Sequence, residues 1–242
     1  MRRNRAVLFD LDDTLIDHRH AARAAMIGVR ERFVPFQSVS LDALELEHQR
    51  ILDLLHHDVA LGRRAVADAR VERYRRLFAY VGDSGGHASA AAELHRRTYH
   101  ASRKRVDGAL ELLQALHGQV HLGVVTNNTL AEQTEKLATF GLAEFVDVLV
   151  TSEEIGVAKP EPSIFNAALH RLGVTPEEAV MVGDSWLHDV QGDIGAGIAA
   201  VWFNRTGEQH PELGPVPEIT ALTPAQIVAA ELVATQPLTA DL

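Results

Sequence analysis

The sequence contains no cysteine, which excludes disulfides, thiolate nucleophiles and Cys-ligated metal centres. No apolar run approaches the roughly 18 residues of a membrane span. The first residues, Met1-Arg2-Arg3-Asn4-Arg5, are basic like the start of a signal peptide. The apolar stretch behind them, Ala6-Val7-Leu8-Phe9, is far too short for a signal's hydrophobic segment. A soluble cytoplasmic protein with no membrane partner is the expectation. Positive charge is also scarce. The 33 acidic and 23 basic residues give a formal charge of −10, which argues against nucleic acid as a partner. The same deficit means that a site for an anionic ligand needs local positive charge. Histidine is plentiful, at 13 residues, but neither His18 with His20 nor His56 with His57 has the i, i+4 spacing and accompanying carboxylate of a helical metal site.

What is present is 242 residues, 46% of them hydrophobic, enough for one domain plus an insertion. The short apolar run Val7-Leu8-Phe9 reads as a strand that stops at Asp10. From about residue 17 to residue 100 the texture turns helical. Leu41, Leu44, Ile51, Leu52, Leu55 and Val59 share one helical face, and Val71, Tyr74, Leu77 and Phe78 another. Arg63, Arg64, Arg70, Arg73, Arg75 and Arg76 in this stretch read as a charged helix surface with Glu partners, the alternative being that some of them meet a second anionic group on a substrate. Residues 82–86 mark a turn.

After Val106, strands and helices alternate. Strands are expected at 120–125, 145–150, 179–182 and 198–203, with a last short one at 218–222. Helices are expected at 110–116, along the stripe Leu130, Thr134, Leu137 and Phe140, along Ile164, Phe165, Ala168, Leu169 and Leu172, and at 190–196 and 224–233. Thr175, Pro176 and Glu178 carry the signals of a helix start. Residues 210–217, with three prolines, read as a loop, and the last nine residues as a frayed end. Such alternation specifies an α/β fold, a doubly wound, Rossmann-like parallel sheet with an inserted α-helical cap domain. The expected division is core at 1–16, cap at 17–100 and core again at 101–242.

Four separated segments carry chemistry. Asp10-Leu11-Asp12-Asp13-Thr14 leaves the first strand, where a doubly wound sheet binds its ligands. Two carboxylates there can divide two tasks, one ionised and attacking phosphorus, the other giving a proton to the leaving oxygen. Thr126-Asn127-Asn128 follows a strand and reads as the opening of the next helix, where backbone N–H groups and a hydroxyl bind anions. Lys159-Pro160 lies in a loop entering a helix, and a fixed ammonium there neutralises charge. Gly183-Asp184-Ser185, followed by Asp189, ends another strand. Asp10, Asp184 and the backbone carbonyl of Asp12 make an oxygen ligand set that suits Mg²⁺, with Asp189 joining directly or through water. Asp193, farther along the helix, reads as solvated, and His188 as a neighbour of the site loop.

In this order and spacing the four segments resemble the haloacid dehalogenase-like hydrolase superfamily, and within it the Mg²⁺-dependent phosphatases. The run from Ser152 to Lys159 and the segment 183–192, with its wider aspartate spacing, are similar to the pyrimidine nucleotidases and the N-acylneuraminate 9-phosphate phosphatases. The resemblance implies that Asp10 is the nucleophile, passing through an aspartyl-phosphate, and that Asp12 is the general acid/base. It further implies that Thr126 and the backbone N–H of Asn127 hold the phosphoryl group, that Lys159 neutralises it, and that the cap enters just after residue 15. The substrate implied is a small phosphorylated metabolite, a nucleoside monophosphate or a sugar phosphate, and the protein is expected as a monomer or homodimer. Other reactions share this fold. Relatives that dehalogenate 2-haloacids lack the carboxylate at the position of Asp12, a phosphomutase needs a phosphorylated acceptor, and a non-catalytic binding protein needs none of these groups.

Overall fold

The computed structural model describes residues 5–60, 63–209 and 216–235, with the backbone alone for 56–60. The loop expected at 210–217 and the frayed end fall almost wholly outside the described residues, as does the side chain of Val59. The chain forms two compact units, one of residues 18–104 and one of the residues before 18 and from 105 onward. The divisions lie at 17/18 and 104/105, where the sequence suggested 16/17 and 100/101. The reason is local: the fourth helix runs on to Ser102, while Val106 N–H bonds Leu15 O at 2.9 Å and Ile16 bridges Arg105, tying both crossings into one unit.

The unit of residues 18–104 is helical: α1 (His18–Arg32), α2 (Leu41–Ala60), α3 (Val66–Tyr80) and α4 (Ala88–Ser102), with a 3₁₀ turn at Val34–Ser38. Its core takes part of the set the spacing marks out: Leu41 and Val71 are only partly buried against it, and Leu52 lies outside it. Leu44, Ile51 and Leu55 of α2 and Tyr74, Leu77 and Phe78 of α3 bury with Met26 and Val29 of α1 and the small residues Ala88, Ala91 and Ala92 of α4. On the outside, Glu72 pairs with both Arg75 and Arg76. None of the described helices is long and apolar enough to cross a membrane.

The other unit is a six-stranded parallel sheet: β1 (Ala6–Phe9), β2 (His121–Thr126), β3 (Val148–Thr151), β4 (Ala179–Gly183), β5 (Ala199–Phe203) and β6 (Glu218–Ile219), in the order β3-β2-β1-β4-β5-β6. The helices are α5 (Ala109–Leu116), α6 (Leu130–Thr139), the short α7 (Ser152–Ile155), α8 (Pro162–Leu172), α9 (Gln191–Gly195) and α10 (Ala225–Ala234). Successive strand residues point to opposite faces. Val7 and Phe9 pack with α5 and α10, while Ala6 and Leu8 pack with Ile164, Phe165, Ala168 and Leu169 of α8. Both faces are covered, which is why these strands are continuous apolar runs. β3 begins at Val148 rather than residue 145, because Leu142 O takes the Phe145 N–H in a turn and Asp147 accepts the Leu122 N–H at 2.9 Å. Thr175 to Glu178 close a single 3₁₀ turn in which Thr175 N–H donates to Glu178 Oε2 at 2.9 Å, and the chain goes straight into β4.

Candidate active site

In this strand order the chain winds outward from β1 on one side and from β4 on the other, so a crevice opens at their carboxyl ends. Phe9 is level with Val124 and with Val182, so Asp10 leaves the sheet beside the ends of β2 and β4, its N–H still bonded to Val182 O at 2.9 Å. The chain then turns back on itself. Leu15 and Ile16 both donate to Leu11 O at 2.9 Å, and Asp13 takes a positive φ of 71°, a conformation that Asp tolerates better than most side chains. Asp13 is buried, with Arg205 at 3.5 Å, and Thr14 is fully buried with its hydroxyl unpaired. Both belong to the turn.

Lys159 is the centre of the site. Its Nζ lies 2.5 Å from Asp10 Oδ1 and 2.7 Å from Asp189 Oδ1, and all three side chains are almost wholly buried. Burial works against the ammonium, but the two carboxylates outweigh it and hold Lys159 above its ordinary value. Burial pushes the Asp10 carboxyl up, Lys159 opposes this, and Asp189 and Asp184 push it further. One cation thus faces several carboxylates. Asp10, Asp184 and Asp189 each offer an oxygen within 4.8 Å of the others. A set made only of oxygens, three carboxylates against a single ammonium, fits a hard divalent cation such as Mg²⁺. The side chain of Asp12 is not in this group.

The geometry of Asp189 explains the spacing of five from Asp184. Residues Trp186–Val190 form a π-helical turn, in which Val190 N–H reaches Ser185 O at 3.3 Å. The extra residue in the turn returns Asp189 inward, where Ser185 N–H donates to its Oδ2 at 3.0 Å. The place it occupies is free because residue 183 is glycine: a Cβ there would stand 2.3 Å from the Asp189 carboxyl. The helix expected at 190–196 is therefore this turn followed by α9. Asp193 corrects the solvated reading. It lies one helical turn beyond Asp189 on the same inward face, is 1% exposed with Oδ1 unpaired, and is pushed up by burial and by Asp189. His188 is exposed and bonds Ser185 through Nδ1 at 3.0 Å.

Thr126 is the last residue of β2 and is buried. The helix after it opens later than the sequence suggested. Thr129, not Asn127 or Asn128, is the N-cap of α6, because its hydroxyl accepts the Glu132 N–H at 3.4 Å. Asn127 is released for another task. Its Nδ2 donates to Lys159 O at 3.0 Å, and its Oδ1 accepts the Lys159 N–H at 2.7 Å.

Two residues that sequence reasoning passed over complete the site. Gln133 and Lys136 of α6 are fully buried. Lys136 Nζ donates to both oxygens of Asp12 at 2.8 Å, and Gln133 Nε2 donates to Asp12 Oδ2 at 3.0 Å and to Thr126 Oγ1 at 2.7 Å. The apolar stripe of α6 misled: Leu130 is 40% exposed and Thr134 is exposed, while Gln133, Lys136 and Leu137 face inward. The available signal was the i, i+3 spacing of two long polar side chains beside Leu137, one helix after a motif threonine.

Comparison with known proteins gives the family and the fold. A family model for haloacid dehalogenase-like hydrolases matches residues 4–197. The pyrimidine 5′-nucleotidase YjjG of Escherichia coli is 42% identical over 106 residues, a match that spans 43% of this chain and 47% of that protein, under half its length. Human N-acylneuraminate-9-phosphatase is 29% identical over 90% of this chain and 89% of its own. Among solved structures, the putative HAD-hydrolase YfnB of Bacillus subtilis, crystallised bound to magnesium, superposes with a TM-score of 0.72 at 26% identity, over 94% of this chain and 99% of that one. With the family match covering most of its length and the fold in agreement, this chain belongs to the haloacid dehalogenase-like hydrolases.

Proposed function

We propose that the protein is a Mg²⁺-dependent phosphatase that hydrolyses a small phosphate monoester, a nucleoside monophosphate or a sugar phosphate, through an aspartyl-phosphate on Asp10. The observation that carries this reading is the convergence at the carboxyl end of the sheet of Asp10, Lys159 and Asp189 in direct contact, with Asp184 beside them and Asp12 and Thr126 joined by Gln133. The names of the two sequence relatives, a pyrimidine 5′-nucleotidase and an N-acylneuraminate-9-phosphatase, support the substrate class.

Asp10, Asp184 and Asp189 would hold Mg²⁺, which neutralises charge on the phosphoryl oxygens and on the attacking carboxylate. Asp10 attacks phosphorus, and the bond from phosphorus to the leaving oxygen breaks as Asp12 gives that oxygen a proton. Water then attacks the phosphorus of the aspartyl-phosphate, Asp12 takes a proton from it, and the Asp10 carboxylate and inorganic phosphate are restored. Lys159 supplies a fixed positive charge at the Asp10 oxygen throughout. Thr126 supplies a hydroxyl to the transferring group.

Dehalogenation would leave Asp12 without a task, yet its carboxylate receives three hydrogen bonds from Lys136 and Gln133. Asp10→Asn is the test. With p-nitrophenyl phosphate in Mg²⁺ the variant loses at least about a thousandfold in kcat, and turnover at the parental rate would refute the mechanism. A panel of nucleoside monophosphates and sugar phosphates identifies the substrate.

A further inference from the structure

We propose that Gln133 and Lys136 are positioning residues for the two groups beside the nucleophile. Gln133 aims the Thr126 proton at the transferring phosphoryl group, and Lys136 fixes the Asp12 carboxylate that serves the leaving oxygen. The inference rests on the phosphatase reading and deepens it, since it concerns how that site is set rather than what it acts on.

The argument is one of donors and acceptors. The Gln133 amide nitrogen has two hydrogens, and two oxygens lie in reach, Asp12 Oδ2 at 3.0 Å and Thr126 Oγ1 at 2.7 Å. Asp12 as a carboxylate only accepts. Turning the amide over would face oxygen against oxygen, so the nitrogen side is fixed towards the site. The cost is visible: Gln133 Oε1 is buried with no partner, an arrangement that stability alone disfavours. The consequence falls on Thr126. Its oxygen already receives a hydrogen from Gln133, so its own single proton must be donated elsewhere, and no other hydrogen bond of Thr126 Oγ1 is found among the described residues. An oxyanion at the end of β2 is the acceptor that completes the set.

Lys136 makes the matching case for Asp12. A fully buried ammonium needs close partners, and Nζ has both Asp12 oxygens at 2.8 Å and Glu132 Oε1 at 3.1 Å. The forked contact leaves the Asp12 carboxylate one orientation. Because Gln133 and Lys136 sit three residues apart on one face of α6, a single rigid element sets the phosphoryl-side hydroxyl and the leaving-group carboxylate together.

The experiment compares Gln133→Glu, Lys136→Met and Lys136→Arg with the parent enzyme, using p-nitrophenyl phosphate, phenyl phosphate and inhibition by orthovanadate. Glu at 133 keeps the shape but presents oxygen to Thr126, so the hydroxyl turns its proton towards residue 133. Orthovanadate inhibition weakens about a hundredfold, and kcat/KM falls on both substrates. Lys136→Met impairs proton delivery. Phenyl phosphate, whose phenolate leaves poorly unprotonated, loses at least about tenfold more in kcat/KM than p-nitrophenyl phosphate, and Lys136→Arg recovers part of the difference. Thermal unfolding of each variant separates these effects from folding. Should Gln133→Glu or Lys136→Met not fold, Gln133→Met and Lys136→Gln carry the same comparison. Equal losses on both substrates for the Lys136 variant, or unchanged orthovanadate inhibition for the Gln133 variant, would overturn the inference while leaving the phosphatase reading intact. A parent enzyme that hydrolyses neither ester would remove both.

Discussion

Asn127 and Lys159 exchange two hydrogen bonds, Asn127 Nδ2 to Lys159 O at 3.0 Å and Lys159 N–H to Asn127 Oδ1 at 2.7 Å. The pair fastens the loop after β2 to the loop before α8. The position of the Lys159 ammonium between Asp10 and Asp189 therefore depends on a side chain that touches neither carboxylate. Asn127→Ala leaves the Lys159 backbone groups unpaired in a half-buried place. It should cost about 1–3 kcal/mol in stability and lower kcat about tenfold or more through misplacement of the ammonium. Urea unfolding and steady-state kinetics measure the two effects, and a stability loss with unchanged kcat would show that the loop holds its place without Asn127.

Gly183 carries a different constraint. A Cβ at that position meets the Asp189 carboxyl at 2.3 Å, so Gly183→Ala must displace Asp189 or shift the end of β4. A destabilisation of about 1–3 kcal/mol is expected from the overpacking, together with a raised Mg²⁺ requirement. Titrating activity against Mg²⁺ reads this directly, and a parental titration curve would place Asp189 outside the cation site.

Removal of the cation should have a reversible effect. EDTA stops turnover, added Mg²⁺ restores it, and Asp184→Asn raises the Mg²⁺ concentration for half-maximal activity at least about tenfold. Undiminished activity in EDTA would contradict the cation's role.

The helical unit should be acid-sensitive on its own account. Tyr74 hydrogen-bonds His95, and the His48 ring stacks on His95 at 4.9 Å. Burial, then Arg73, His18 and Arg70, pull His95 down to about 3. Burial, then Arg73, His95 and His18, pull His48 well below its ordinary value. Both are neutral when folded and gain protons on unfolding below about pH 6.5. Their contribution is thus undiminished above that pH; that of His95 is lost as pH falls from about 6.5 towards 3, at about 1.4 kcal/mol per pH unit, and His48 adds a loss in the same direction. Both tryptophans, Trp186 and Trp202, lie in the sheet unit, and all three tyrosines, Tyr74, Tyr80 and Tyr99, in the helical one. Far-UV circular dichroism should therefore report helical loss at a lower urea concentration than tryptophan fluorescence does at pH 5. His95→Gln should flatten the pH slope, and an unchanged slope would mean that these histidines are not its source.

The strand exits were legible because parallel strands buried on both faces are unbroken apolar runs, and each run stops where chemistry begins, at Asp10, Thr126 and Gly183. What was not legible came from tertiary demands on short segments. The helix after Thr126 opens at Leu130, because competition among several capping residues was settled by the Thr129 hydroxyl. Asp193 looked like a surface carboxylate until the π turn at Trp186–Val190 rotated the helix face by a residue. Gln133 and Lys136 were hidden by the rule that polar helix residues face water. They are buried because Asp12 and Thr126, more than a hundred residues away and seven residues away from Gln133 respectively, meet them only in the fold.

The central claim, that Asp10 carries the phosphoryl group, is tested most directly by quenching the enzyme in acid during turnover of p-nitrophenyl phosphate in Mg²⁺ and mapping the adduct by peptide mass. The account predicts one phosphoryl group on the peptide holding Asp10, released by hydroxylamine and missing in Asp10→Asn. An adduct on a different residue, or full turnover with no adduct trapped at any time, would contradict it.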